Sequence, residues 1–268
     1  LADLIQSDAN GLWIVLPTPF AELLRVNLEG DVQTRSLIAT DDCEGTAPVE
    51  VGGIAPVGGS VWMLFRDGGL GVVRSFGGAV PLEWHARSDD MFLITADESR
   101  VILLSEDGSR VEIHSFIGQP TAPKVLDARP PCGNLCSVAS LGDSIFAVSH
   151  IYQEIYRLRI DRPENGQPRW ETVATNCQFG PLFVATYRGR VVALGEADNG
   201  ARVVVEGTNA CTISGLDVYR DWDVEGFAIS GNSYHVLLNS LGSGFLLVNL
   251  RADGQDVKQL SVQQLGAH

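Results

Sequence analysis

Several things are scarce in this 268-residue chain: two methionines, five histidines, and 19 basic residues against 33 acidic ones. Each scarcity excludes something. No window of about 18 apolar residues occurs, so no membrane-spanning helix is expected. A net charge of −14 repels nucleic acid and anionic lipid, while leaving room for a cationic partner or a divalent metal. The histidines form no HxH or HxxxH pair, which gives a zinc or copper centre little support; His114 and His235 are expected on strands. No GxSxG elbow, phosphate-binding glycine loop or HExxH motif is present. No helix-period segment exceeds two turns, and there is no linker or low-complexity tract. A single domain over residues 1–268 follows.

What the chain does have is glycine (29 residues) and short runs of β-branched and aliphatic residues between turns, the composition of many short strands. One unit repeats: an apolar strand, a polar break, a second apolar strand and a Gly-containing turn. Six copies begin at NGLWIVLPTP (10–19), GGSVWMLFRDG (58–68), DDMFLITADES (89–99), GDSIFAVSHIY (142–152), GPLFVATYRG (180–189) and GNSYHVLLNS (231–240). Their partner strands end in hairpin signals at Gly30, Gly78, Gly108, Gly166, Gly200 and Gly254, spaced 48, 30, 58, 34 and 54 residues apart. Six antiparallel units at a mean period of about 45 residues have the form of a β-propeller.

The chain resembles β-propeller repeat proteins over nearly its full length, without the GH and WD dipeptides of WD40 blades or the kelch signature. The resemblance implies an all-β, six-bladed β-propeller with mostly four-stranded antiparallel blades. Inner strands are legible at 49–59, 136–143 and 225–232, with LADLIQSD expected as the inner strand of the first blade. None is legible in the third and fifth units, so two blades are expected to be short. Outer strands are read in VQTRSLIAT, RVEIHSFI, RWETVATN, ARVVVEGT and DVKQLSVQQ, which alternate in polarity as strands with one wet face do.

Aligning the ends of the six second strands predicts a ring of polar groups on one face of the disc: Arg66 and Asp67, Asp97 and Glu98, His150 with Tyr152, Tyr187 and Arg188, and Asn239. Mixed charge, imidazole and phenol around a concave rim suit a polar ligand, although strand ends are also polar simply because loops face water. The crossings on that face are acidic. In Asp221-Trp222-Asp223-Val224-Glu225 an extended backbone would turn Asp221, Asp223 and Glu225 to one side, a candidate Ca²⁺ set beside Trp222, without the spacing of an EF-hand loop. A solvated acidic loop accounts for the same pattern. Tryptophans keep no common register, which disfavours a repeated lectin site; Trp13 and Trp62 are expected in the core.

The five cysteines all fall in segments that read as loops, and Cys132 and Cys136 flank the turn PPCGNLC as a natural local disulfide pair. That placement points to an oxidising compartment: extracellular, cell surface or periplasmic. No signal-type segment opens the chain at Leu1, so export implies a processed or excised form. Two functions remain. One is a non-catalytic exported binding or scaffold propeller, without cofactor, presenting its loop-rich face to a protein or glycan, alone or within a larger surface assembly. The alternative is a Ca²⁺-dependent lactonase or esterase with the metal in the central tunnel.

Overall fold

The computed structural model describes residues 3–17, 21–29, 31–39, 50–87, 90–115, 122–131, 133–149, 151–160, 168–173, 180–197, 201–206, 209–214, 216–219, 221–240, 243–253 and 256–266. Their strands form six antiparallel sheets of four, arranged as the blades of a propeller. Blade 1 is β1 (Ile5–Asp8), β2 (Gly11–Leu16), β3 (Glu22–Val26) and β4 (Val32–Ala39). Blade 2 is β5 (Val51–Val57), β6 (Ser60–Phe65), β7 (Gly69–Val73) and β9 (Glu83–Arg87), with β8 (Gly78–Pro81) leaving it to join its neighbour. Blade 3 is β10 (Met91–Ala96), β11 (Arg100–Ser105), β12 (Arg110–Ser115) and β13 (Lys124–Asp127). Blade 4 is β14 (Ser137–Leu141), β15 (Ser144–Ser149), β16 (Glu154–Arg159) and β17 (Trp170–Val173). Blade 5 is β18 (Gly180–Tyr187), β19 (Arg190–Glu196), β20 (Arg202–Glu206) and β21 (Asn209–Ser214). Blade 6 is β22 (Asp223–Ser230), β23 (Ser233–Ser240), β24 (Gly244–Asp253) and β25 (Asp256–Gly266).

The apolar runs become the middle strands because those are covered on both faces by neighbouring blades. Every residue of GLWIVL in β2, GLGVV in β7 and SIFAVS in β15 is buried. Apolar clusters fill the seams: Trp62 and Leu64 of blade 2 pack with Ile94, Val101 and Leu103 of blade 3. Each such side chain contributes about 1.5–3 kcal/mol by leaving water. Inner strands sit side by side around the axis in the order β1, β5, β10, β14, β18, β22 and back to β1. The first blade therefore keeps all four of its own strands, and the ring closes by packing. Leu4 N donates to Glu225 O at 3.2 Å, Arg35 Nη2 donates to Leu265 O at 2.7 Å, and Leu4, Ile5 and Leu23 share a cluster with Leu237, Phe245 and Leu265.

Three expectations are corrected here. Blades 3 and 5 have four strands each. MFLITA and GPLFVATY, read as second strands, are the inner strands β10 and β18, so RVEIHSFI and ARVVVEGT are third strands, and KVLD and NACTIS form the outer edges. The difference has a physical origin: β10 and β18 are as apolar as a second strand, and most of their residues are buried. With the register corrected, inner strands begin at residues 5, 51, 91, 137, 180 and 223, in even steps of 40 to 46. Cys211, expected in a loop, lies within β21 opposite Val204.

Outer strands of neighbouring blades also pair in parallel. Ser36 to Ala39 of β4 pairs with β8, Arg129 bridges to Arg169 between blades 3 and 4, and Ile213 and Ser214 of β21 pair with Val257 and Lys258 of β25. Among the described residues, the blades are thus zipped at the rim in three pairs: 1 with 2, 3 with 4, and 5 with 6.

Candidate functional site

Antiparallel blades send their turns to two faces. Turns from first to second strands lie on one, here the hairpin face. Turns from second to third strands, together with the crossings between blades, lie on the other, the connection face. The expected ring of polar strand ends is divided between them by the register correction. Arg66, Asp67, Tyr152, Trp222 and Asn239 are on the connection face. Asp97, Glu98, Tyr187 and Arg188 end inner strands and belong to the hairpin face. His150 lies outside the described residues.

On the connection face, Arg66 pairs with Glu50 at 3.1 Å with both side chains exposed, worth about 0–1 kcal/mol. Asp67 Oδ1 accepts from Gly69 N at 3.0 Å and shapes its own turn. Trp222 is half-buried, edge-on to Tyr219 with ring centroids 5.8 Å apart. Tyr152 is 51% exposed, its neighbour Ile151 70% and Phe92 45%. Phe92 stands out because it is the extra residue of a β-bulge at the start of β10. The same irregularity recurs at the start of β5, β18 and β22, leaving Gly52, Leu182 and Glu225 as the corresponding residues.

That bulge undoes the carboxylate alignment expected at 221–225. Strict alternation fails between Val224 and Gly226, and Asp221 sits in the turn before the strand. Asp221 and Asp223 are exposed, while Glu225 Oε1 accepts from Asn239 Nδ2 at 3.3 Å. Among the described residues no group of three or more His, Cys, Asp or Glu side chains is placed to share a metal ion. Cys136 precedes β14, with Sγ 3.4 Å from both Val148 O and Leu182 O; Cys132, its expected partner, lies outside the described residues.

The hairpin face is hollow. A cavity of about 940 Å³ is lined by the first turns of blades 1 to 5. Two of its carboxylates are committed within their own blades. Asp8 accepts from Asn10 N at 2.7 Å, Trp13 Nε1 at 2.8 Å and Arg25 Nη2 at 3.2 Å. Asp97 accepts from Ser99 N at 2.9 Å, Arg100 N at 2.8 Å and Arg100 Nε at 2.6 Å. Ser140 and Thr186 staple the walls: Ser140 Oγ donates to Ala96 O and Thr186 Oγ1 to Ser140 O, each at 2.6 Å. Arg188 is exposed, with its guanidinium carbon 5.2 Å from the centroid of the Tyr187 ring.

At the connection-face end of the axis, Asp3 reaches from blade 1 to blade 4. Its Oδ2 accepts from Ser137 Oγ at 3.1 Å, and the same Ser137 Oγ accepts from Val184 N at 3.2 Å. Asp3 Oδ1 is buried with no hydrogen-bond partner. Burial pushes its carboxyl up to about 8, against the smaller opposing effect of the Ser137 hydrogen bond; desolvation penalises the charged form more than one hydroxyl repays.

One polar constellation escaped the sequence reading. Across blade 6, Ser230 Oγ lies 2.7 Å from His235 Nε2, His235 Nδ1 lies 2.7 Å from Asn249 Oδ1, and Asn249 Nδ2 donates to Ser261 Oγ at 2.9 Å. A hydroxyl–imidazole–amide relay has the form of a nucleophilic triad. Here His235 is fully buried and Ser230 only 5% exposed, so no substrate reaches it, and the relay ties the four strands of the blade together. Its sequence signal was His235 inside the apolar run SYHVLL, where an imidazole must find partners. His114, on β12 as expected, is also buried; desolvation lowers its pKa despite the neighbouring Glu112 carboxylate.

No protein-family model matches the chain, and no curated protein sequence does. Solved structures do. One is a chain in a nidogen/laminin complex, similar at TM-score 0.65 and 10% identity over 94% of this chain and 92% of that one. The WD40 β-propeller domain of Doa1 is similar at TM-score 0.58 and 11% identity, over 97% and 81%. YCF48 bound to a D1 peptide is similar at 0.54 and 15%, over 96% and 81%. Together with the ring of six blades these likenesses define the class, a β-propeller, and at such identities they speak of the fold alone.

Proposed function

We propose that this chain is a non-catalytic binding propeller that presents its connection face to a protein partner. The observation that carries the reading is the exposure of Phe92, Ile151 and Tyr152, at 45, 70 and 51%, on that face in the adjacent blades 3 and 4. Exposed apolar side chains grouped on one loop-rich face offer the kind of surface a protein contact covers, and aromatic residues are among the usual anchors of such contacts. Two of the similar structures are of complexes, by their own description a nidogen/laminin complex and YCF48 bound to a D1 peptide. That supports partner binding here as a habit of the architecture.

The test is co-purification from the native source of a defined protein that binds the purified wild-type chain directly. An Ile151→Asp/Tyr152→Ser double variant with unchanged melting temperature should lose that protein, and Arg188→Ala on the opposite face should keep it. Loss with Arg188→Ala and retention in the double variant would overturn the assignment of the face. Capture of a glycan instead, abolished by Trp222→Ala, would move the partner to that class. The exported setting rests on the Cys132–Cys136 pairing, which intact-mass measurement before and after reduction tests directly.

A further inference from the structure

We propose that the hollow of the hairpin face is a second ligand site, in which the Arg188 guanidinium takes a carboxylate. This site is independent of the connection face. Arg188 and Gly189 form the two-residue turn between β18 and β19, with φ of 46° and 85°; the same two positions in blade 2 are Gly58 and Gly59, at 58° and 78°. Such a turn wants glycine or asparagine, and a bulky side chain held at positive φ is a form of strain that persists where the side chain is needed.

The surrounding charges favour a ligand over a structural role. The other arginines near this rim are engaged: Arg25 with Asp8 at 3.1 Å, Arg100 with Asp97 at 2.6 Å and Arg190 with Glu206 at 2.7 Å. Arg188 has no ion-pair partner among the described residues; the Tyr187 ring lies beneath it, a cation–π contact that leaves the hydrogen-bonding fork of the guanidinium open. One planar fork matches one carboxylate in two parallel hydrogen bonds. A dianion such as phosphate fits worse, because Glu98 and Asp97 also line the cavity. The volume, about 940 Å³, admits a small acid or a few residues of a chain end. Pro56, Val57 and Leu141 supply apolar wall for the remainder.

The experiment is calorimetric titration of the whole chain with four probes: hexanoate, the tripeptide acetyl-Ala-Leu-Ala with a free carboxylate, the same tripeptide as its amide, and inorganic phosphate. At least one of the two acids should saturate the wild-type protein, and the stronger of them names the source as a small acid or a chain end. The amide should bind about tenfold or more weaker than the free-acid tripeptide, and Arg188→Gln should weaken the bound acid by a similar factor. Arg66→Gln, on the other face, should change nothing. The proposal is overturned if neither acid saturates by about 10 mM, if amide and acid bind alike, if inorganic phosphate binds as tightly, or if Arg188→Gln retains full affinity with an unchanged melting curve.

Discussion

Asp3 and Arg188 are uncomfortable side chains for opposite reasons. Asp3 is a carboxyl without water, and Arg188 a charged residue on a backbone that favours glycine. Below about pH 3.8 Asp3 carries its proton in both folded and unfolded chains. From there to about pH 8 only the folded chain holds it, so stability falls as pH rises across that window and levels off above it. Asp3→Asn should therefore flatten the profile and be the more stable protein above pH 8, as measured by urea unfolding over a pH series; an unchanged slope would show that the carboxyl is hydrated. Arg188→Gly should raise stability by about 1 kcal/mol by relieving the left-handed backbone while removing the carboxylate anchor. A thermal melt checks the first effect and the probe titration the second. Neither property was legible beforehand. Asp3 was one acid in a polar opening segment, and Arg188 was placed at a strand end on the wrong face, since a side chain's face depends on which strand of the blade it ends.

At the scale of the element, the relay through His235 is what distinguishes blade 6. Burial lowers the pKa of this histidine, the Asn249 hydrogen bond opposing only in part, so the folded chain holds the imidazolium proton less readily than the unfolded one. The unfolded chain takes up its proton first as pH drops below about 6.5, and stability contributed by the relay is lost progressively below that value. His235→Ala leaves buried Ser230 and Asn249 polar atoms without their partner and should cost about 2–4 kcal/mol. Denaturant unfolding should show that loss, and the variant should lose the part of the acid sensitivity due to this histidine. The strands themselves were largely readable: β2, β6, β15 and β23 were identified as second strands, and LADLIQSD does contain the inner strand β1. In blades 3 and 5 apolar character does not label the position of a strand. An inner strand packed against two neighbours and a central strand packed between blades bury similar side chains, and period and composition do not separate them. The uneven spacing of the turn glycines was the available warning, since Gly108 turns out to follow the second strand β11 and not a third one.

For the whole molecule, the question is how the ring stays shut. Each blade draws its four strands from one stretch of the chain, with β8 crossing from blade 2 to the sheet of blade 1, so no strand exchange locks the last blade to the first. Among the described residues, rim pairing joins blades 1 and 2, 3 and 4, and 5 and 6; the seam between blades 6 and 1 is held by side-chain packing, by the Leu4 to Glu225 and Arg35 to Leu265 hydrogen bonds, and by close approach of the inner strands. Gly226 is where that approach is tightest: a Cβ there would lie 2.6 Å from Ile5 Cγ2 and 3.1 Å from Ile5 N. Gly226→Ala should cost roughly 2 kcal/mol. It should lower a single cooperative melting transition, because opening one seam exposes the apolar faces of both neighbours; separate melting of blade 6 would show that the ring is not one cooperative unit.

The sequence by itself determined the number of blades, the β character of every one of them and the absence of any helix-based architecture, because six short apolar runs between glycine turns can bury their faces only by stacking on one another. It also placed Trp13 and Trp62 in the core. Only the tertiary structure decided which strand of a blade lies at the axis, and with it which face each turn reaches. That split the expected ring of polar groups into two surfaces, opened the 221–225 carboxylate row with a bulge, and brought Asp3 and Ser137 together across 134 residues of chain. Such contacts join elements far apart in sequence through the closure of a ring, and no local pattern of residues encodes the distance across it.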